Sequence, residues 1–233
     1  MRKNLKKTLF TLLAVVAMTV IFCFGVSALE PTGKCGDNVY WNYNSSTGEL
    51  VISGSGAMTD YSYGASPFYD SDIKSVVIKD GVTTIGDAVF YVCNSLQSVT
   101  ISDSVTVIGT SAFERCEKLP SITIPNGVTS IGDSAFYDCA NLKSVTISNS
   151  VTSIGCDAFR ICRKLERVTI GKGLKSIGDG AFYSCNKLSS VYVPENVTKI
   201  GTCAFGYYFD IINYFDGKYT PFEIKGAKGS AAE

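Results

Sequence analysis

Apolar positions recur along this chain with a step of 23 residues from about Ile73 to Phe205. Phe90, Phe113, Phe136, Phe159, Phe182 and Phe205 keep that step, as do Ile85, Ile108, Ile131, Ile154, Ile177 and Ile200, each followed by glycine. Cys93, Cys116, Cys139, Cys162 and Cys185 form a third column, and Leu96, Leu119, Leu142, Leu165 and Leu188 a fourth. Four residue types held in register over five or six units mark a solenoid, whose units bury their apolar faces only against their neighbours.

One unit shows the elements. Leu119, Ile122 and Ile124 alternate with polar residues, which predicts a short strand with an inward apolar face. Pro125-Asn126-Gly127 predicts a turn, and Val128 with Ile131 a second extended piece. Gly132 bends the chain, and Asp133, Ala135 and Phe136 are expected to open a short helical turn carrying Cys139. The expected fold class is therefore an α/β solenoid dominated by strands. The Asp133 column reads Asp87, Thr110, Asp133, Cys156, Asp179, Thr202, and five of the six are good helix N-caps. Thr replaces Asp as a cap but not as a catalytic carboxylate, so the column predicts capping rather than a carboxylate site.

The flanks depart from the repeat. Val39, Trp41 and Tyr43 alternate with polar residues, Ser45 to Gly48 is turn-like, and Leu50 and Ile52 alternate again. This predicts a β-hairpin with one apolar face, suited with Tyr61, Tyr63, Phe68 and Tyr69 to cap the N-terminal end of the stack. Gly54-Ser55-Gly56 is a flexible turn, since no helical pattern follows it to make a phosphate loop. After Phe205 the repeat fades, and Phe222-Glu223-Ile224 resembles the next strand after an insertion of eight residues. The expected divisions are residues 1–28, 29–72 as N-terminal cap, 73–206 as repeats and 207–233 as C-terminal cap.

Composition adds a compartment. Arg2, Lys3, Lys6 and Lys7 precede an uncharged, mostly apolar run from Leu9 to Val26, and Val26-Ser27-Ala28 supplies small residues for cleavage. Residues 1–28 read as a secretory signal peptide, with an uncleaved membrane anchor as the rival. Its removal leaves 21 − 4 = 17 basic against 21 acidic residues, a net charge of −4. No basic footprint for nucleic acid remains, and the membrane is expected as a partner only through the signal segment if it stays uncleaved. The chain has no histidine, which removes His-based triads, His-ligated metals and His pH switches.

Eight of the nine cysteines follow residue 28. The five in the column are expected to point the same way at about one strand spacing, ~4.8 Å, a poor geometry for disulfides, so buried thiols are expected. Cys156 breaks the capping column and could carry a lowered pKa at a helix start, with Asp157 taking over the cap. Between the inward strand residues lie Val77, Thr100, Thr123, Thr146, Thr169 and Tyr192, flanked by Ser75, Ser98, Ser121, Ser144, Arg167 and Ser190. Such a hydroxyl ladder serves β-propensity and cross-strand contacts first, and docking on a concave face second. Thr100, Thr123, Thr146, Arg167, Thr169 and Tyr192 are the candidate binding residues. No catalytic, cofactor or metal residue is expected.

The stretch VTSIGDSAFYDCANLKSVTI at 128–147, matched with small changes in every unit over roughly residues 73–206, resembles the BspA-type leucine-rich-repeat family of bacterial and protist surface proteins. KCGDNVYWNYNSSTGELVISGSGAMTDY at 34–61 and FEIKGAKGSAAE at the end are similar to segments flanking such repeats. The resemblance implies a leucine-rich-repeat solenoid, display on the cell surface or secretion, and protein-mediated adhesion, without catalytic residues. The expected partner is an extracellular protein, of a host matrix or another bacterial surface. The alternative is carbohydrate binding through the aromatic cap, because Tyr and Trp rings stack on sugars.

Overall fold

The computed structural model describes residues 29–206 and 223–226, and the expected signal segment lies outside them. The chain winds as a strand-dominated β-solenoid of about seven turns of roughly 23 residues. It begins with β1 (Thr32–Lys34), β2 (Val39–Asn44), β3 (Glu49–Gly54) and β4 (Gly56–Ala57). Each following coil adds a longer strand and then a two- to four-residue strand. The longer ones are β5 (Ser75–Ile78), β7 (Ser98–Ile101), β9 (Ser121–Ile124), β11 (Ser144–Ile147), β13 (Arg167–Thr169) and β16 (Ser190–Val193). The shorter ones are β6 (Val82–Ile85), β8 (Val107–Ile108), β10 (Ser130–Ile131), β12 (Ser153–Ile154), β14 (Ser176–Ile177) and β17 (Lys199–Ile200). The pairs β15 (Phe182–Tyr183) and β18 (Phe205–Gly206), and β16 and β19 (Glu223–Gly226), complete the list.

Pairing follows the repeat. β2 and β3 form the expected antiparallel hairpin, with Trp41 opposite Ile52 and Tyr43 opposite Leu50. β3 then pairs parallel with β5, so the hairpin continues the sheet of longer strands. Equivalent residues face each other from coil to coil, as in Ser144 with Ser121 and Ile147 with Ile124. The shorter strands form one seven-stranded parallel sheet from β4 to β17. At the far end Val191 pairs with Ile224, 224 − 191 = 33 residues on, so ten residues exceed the repeat rather than eight.

The core lies between these sheets and a third, turn-built side. The six phenylalanines of the column and Phe68 stack with ring centroids 5.1–5.4 Å apart, and Trp41 meets Phe68 edge-on at 5.2 Å. The cysteine, leucine and isoleucine columns fill the remaining interior. All eight described cysteines are free thiols, and Cys35 with the five of the column are buried. Each column thiol donates to a carbonyl of the preceding coil, as Cys139 Sγ does to Phe113 O at 3.2 Å. Burial pushes these thiols up, Cys93 and Cys185 to about 12.

The helical turn does not form: no helix occurs among the described residues. Ser134 and Asp138 sit at φ 53° and 52°, and the left-handed region is repeated twice per coil, down to Val92 at 59° and Ile161 at 63°. Left-handed residues four apart cannot sit in a right-handed helix. They let alternate amides point in opposite senses. Ser134, Phe136 and Asp138 donate to Cys156, Ala158 and Arg160 carbonyls of the next coil at 2.7–2.8 Å. Tyr137 donates three residues back to Ser134 at 2.9 Å. Inter-coil bonding thus replaces helical bonding.

The coils come in two kinds. Gly81, Gly127 and Gly173 alternate with Ser104, Ser150 and Asn196; Asp87, Asp133 and Asp179 with Thr110, Cys156 and Thr202; Tyr91, Tyr137 and Tyr183 with Glu114, Arg160 and Gly206. The structure gives the alternation a cause. Ser104 and Ser150 hydroxyls donate to Val82 and Val128 carbonyls at 2.8 Å, whereas a Cβ at Gly127 would collide with the Asp103 carbonyl oxygen.

Candidate functional site

The sheet of longer strands presents its outer residues to solvent. Thr100, Thr123, Thr146, Arg167, Thr169 and Tyr192 are all exposed, Tyr192 at 57%. Thr146 is in register with Thr123 on one side and Thr169 on the other, and Tyr192 with Lys225. The same face extends through Val77 and Val51 to Asn42 of the hairpin. The ten strands span roughly 43 Å at ~4.8 Å per step, and four residues give a width of about 13 Å.

Two threonine columns behave differently. In the short-strand region Thr106, Thr129 and Thr152 hydroxyls donate to the carbonyls of Thr83, Thr106 and Thr129 at 3.0–3.1 Å. Those hydroxyls tie one coil to the next. The hydroxyls of Thr100, Thr123, Thr146 and Thr169 make no such bond within the described residues and stand toward water. The cross-strand bonding expected of a hydroxyl ladder therefore belongs to the Thr83 column, which the sequence reading did not single out. The signal was available as Thr83, Thr106, Thr129 and Thr152 at the same step, resumed at Thr198 after Lys175.

This face is divided. β7 and β9 lie side by side without pairing, and so do β13 and β16, which leaves three blocks of longer strands. Each seam falls before a coil whose strand is followed directly by proline, Pro125 or Pro194. At the equivalent place Lys79 donates its amide to Ile52 O at 2.9 Å, and proline has no amide hydrogen to give. The inward residues beside the seams are the less covered ones: Val99 and Val168 are half-buried, and Ile101 and Ile170 are each 9% exposed. The candidates flank these seams, Thr100 and Thr123 at the first and Thr169 and Tyr192 at the second.

The aspartate column is not a set of helix caps. Asp133 Oδ1 accepts from the Cys156 amide of the following coil at 2.7 Å, and Asp87 and Asp179 do the same for Thr110 and Thr202 at 2.6 Å. With no helix to cap, the carboxylates join coils. Cys156 is exposed and lies at no helix start, which removes the expected cause of reactivity. Asp157 caps nothing; it sits at φ 54° and pairs with Arg160 at 3.2 Å. Among the described residues, no group of three or more His, Cys, Asp or Glu is placed to hold a metal ion. No helix there is long and apolar enough to cross a membrane.

A parallel solenoid with 23-residue coils, an inward leucine and isoleucine seam and an exposed strand face is a leucine-rich-repeat architecture. The chain belongs to the BspA type leucine rich repeat family, whose pattern matches residues 61–155 and 83–212 in six copies. No curated protein matches the sequence. Among solved structures, the chain is similar to a leucine rich repeat protein of T. pallidum at 24% identity, with 85% of this chain and 100% of that one covered and a TM-score of 0.57. It is similar to a leucine rich cell surface protein of Faecalibacterium prausnitzii at 29% identity, covering 89% of this chain and 56% of that one, TM-score 0.57. A leucine-rich repeat protein of Bacteroides ovatus is 28% identical, with 75% and 52% covered and a TM-score of 0.54. The chain thus spans about half the length of the latter two proteins.

Proposed function

We propose that this protein is a non-enzymatic binding scaffold displayed outside the cell, and that it docks a protein partner on the exposed face of the longer strands. The observation that supports this most is the contrast between the two threonine columns. Hydroxyls of the Thr100 column are left for a partner or water, while those of the neighbouring column are consumed by the fold. The face measures roughly 550 Å² in plan, the same order as the ~800 Å² that each partner gives to a standard interface. Tyr192 and Arg167 supply the ring and guanidinium that dominate contact energies at such surfaces. The antiparallel hairpin serves as the N-terminal cap of the stack, and residues 1–28 direct export. A surface location is supported by the family and by the cell-surface protein of F. prausnitzii.

The partner class is an extracellular protein of a host matrix or of another bacterial surface. Immobilised protein is incubated with fibronectin, collagen, laminin and outer-surface extracts, and saturable binding is measured. Binding is expected to weaken at least tenfold in Tyr192→Ala with Arg167→Ala. Absence of binding to every probe, or binding untouched by the double substitution, would refute the assignment.

A further inference from the structure

On the turn-built side, away from the strand face, three tyrosines meet. Tyr63 packs on Tyr91 with ring centroids 4.8 Å apart and planes tilted by 57°, and Tyr69 stacks on Tyr91 at 5.9 Å and 15°. Tyr63 is 65% exposed and Tyr69 44%. The cluster joins the segment before the first coil to two coils: Tyr63 Oη lies 2.9 Å from the Oγ of Ser111, itself buried. Glu114, half-buried, holds in the next coil the place that Tyr91 holds in its own, and burial pushes its titration up. The rings thus form a cluster tethered through Tyr63, with the Glu114 carboxyl one coil on from Tyr91.

The phenylalanine column already fills the interior behind these rings, with Phe68 and Phe90 stacked at 5.4 Å. The patch presents phenol rings, and the residues between Tyr63 and Tyr69 are exposed Gly64 and Ala65, buried Ser66, half-buried Pro67 and buried Phe68. Around Gly64 the space is open, its nearest neighbours being the Tyr69 ring atoms at 4.0 Å from an added Cβ. The chemistry that matches flat π faces edged by hydroxyl and carboxyl acceptors is a pyranose ring. Its C–H faces stack on aromatic carbon, and its hydroxyls pair with the Glu114 carboxyl and the Tyr63 hydroxyl.

We propose that Tyr63, Tyr69 and Tyr91, with Glu114, form a carbohydrate-binding platform distinct from the strand face, in which buried Ser111 holds the Tyr63 hydroxyl in place. It acts independently of the protein-docking reading and fails or stands by different side chains. The test is affinity electrophoresis of the whole protein in gels containing xylan, barley β-glucan, galactomannan, glycogen or arabinogalactan. At least one polysaccharide is expected to retard the protein. Tyr63→Ala combined with Tyr69→Ala is expected to weaken that retardation at least tenfold with an unchanged circular dichroism spectrum. Glu114→Gln is expected to weaken it several-fold. Tyr63→Phe keeps the ring and should stay within about threefold, which separates stacking from any loss of folding, and Tyr192→Ala should have no effect. No retardation by any of the five, retardation indifferent to the double substitution, or a Tyr63→Phe as damaging as alanine would overturn the proposal. Binding to gelatin alone, lost in the same variants, would assign the patch to a protein partner and overturn it as well.

Discussion

Truncating Phe136 to alanine tests the stacked core at its centre. The ring is fully buried and lies between Phe113 at 5.2 Å and Phe159 at 5.1 Å, with planes within 6° of both. Removing a buried phenylalanine costs about 3–5 kcal/mol, since the transfer energy of the ring is lost and the cavity closes only partly. Collapse is hindered here, because the neighbouring rings are fixed by their own coils. Tyr137 is the control: it is adjacent in sequence but only half-buried and outside the ring stack, and its truncation should cost about 1 kcal/mol or less. Against a total stability of roughly 5–15 kcal/mol the difference is large. Urea unfolding followed by far-UV circular dichroism gives both costs. Thiol labelling adds a local reading, because Cys139 and Cys162 occupy the same coils as Phe136 and Phe159 and should react sooner if the stack opens there. A cost for Phe136→Ala near that of Tyr137→Ala would refute a shared apolar seam.

Thiol labelling of the native protein should modify Cys156 and Cys203 and spare the five column thiols and Cys35, all eight reacting in urea. Burial raises the folded thiol pKa, so that stabilisation is complete below about pH 9 and is lost as pH rises from there toward 12; the urea midpoint should fall over this window, less steeply once Cys93 and Cys185 are alanine. Asp133→Ala removes the acceptor for the Cys156 amide and should cost about 1 kcal/mol, while Asp133→Asn restores most of it in thermal melts. Ser134→Gly relieves a residue held at φ 53° and should raise stability by about 0.5–1 kcal/mol; a loss would contradict the left-handed turn. Pro125→Ser returns a donor opposite Ile101, so amide exchange in Ser121–Ile124 should slow. The unfolding midpoint should move little, because a gain of about 1 kcal/mol is offset by ~0.4–1 kcal/mol from the freer unfolded chain.

The solenoid and the facing of its columns were legible because burial repeats: Phe136, Cys139, Leu142 and Ile131 each carry the same instruction as five or so equivalents. The hairpin was legible from its two-residue alternation around Trp41. The third side was not. Asp133-Ser134-Ala135-Phe136 carries the composition of a helix start, and local propensity says nothing of a coil stacked 23 residues on that offers carbonyls to the same amides. The role of the aspartates is hidden for that reason, since a carboxylate that accepts from the next coil has the same sequence signature as one that accepts from its own turn. The seams depended on Pro125 and Pro194, visible as turn residues but silent about the missing bond to Ile101 and Ile170. The tyrosine cluster joins residues as far apart as Tyr63 and Ser111, which only the winding brings together.

The two kinds of coil impose an evenness on any change in length. Excising one 23-residue turn would bring two glycine-bearing turns, or two serine-bearing ones, into contact. Asp133 would then meet Asp87 or Asp179 as its immediate neighbour, carboxylate against carboxylate. Excising 46 residues leaves every neighbour of the original kind. Relatives of different span should therefore differ by doublets, and an engineered single-turn deletion should be less stable than a double one despite being shorter by less.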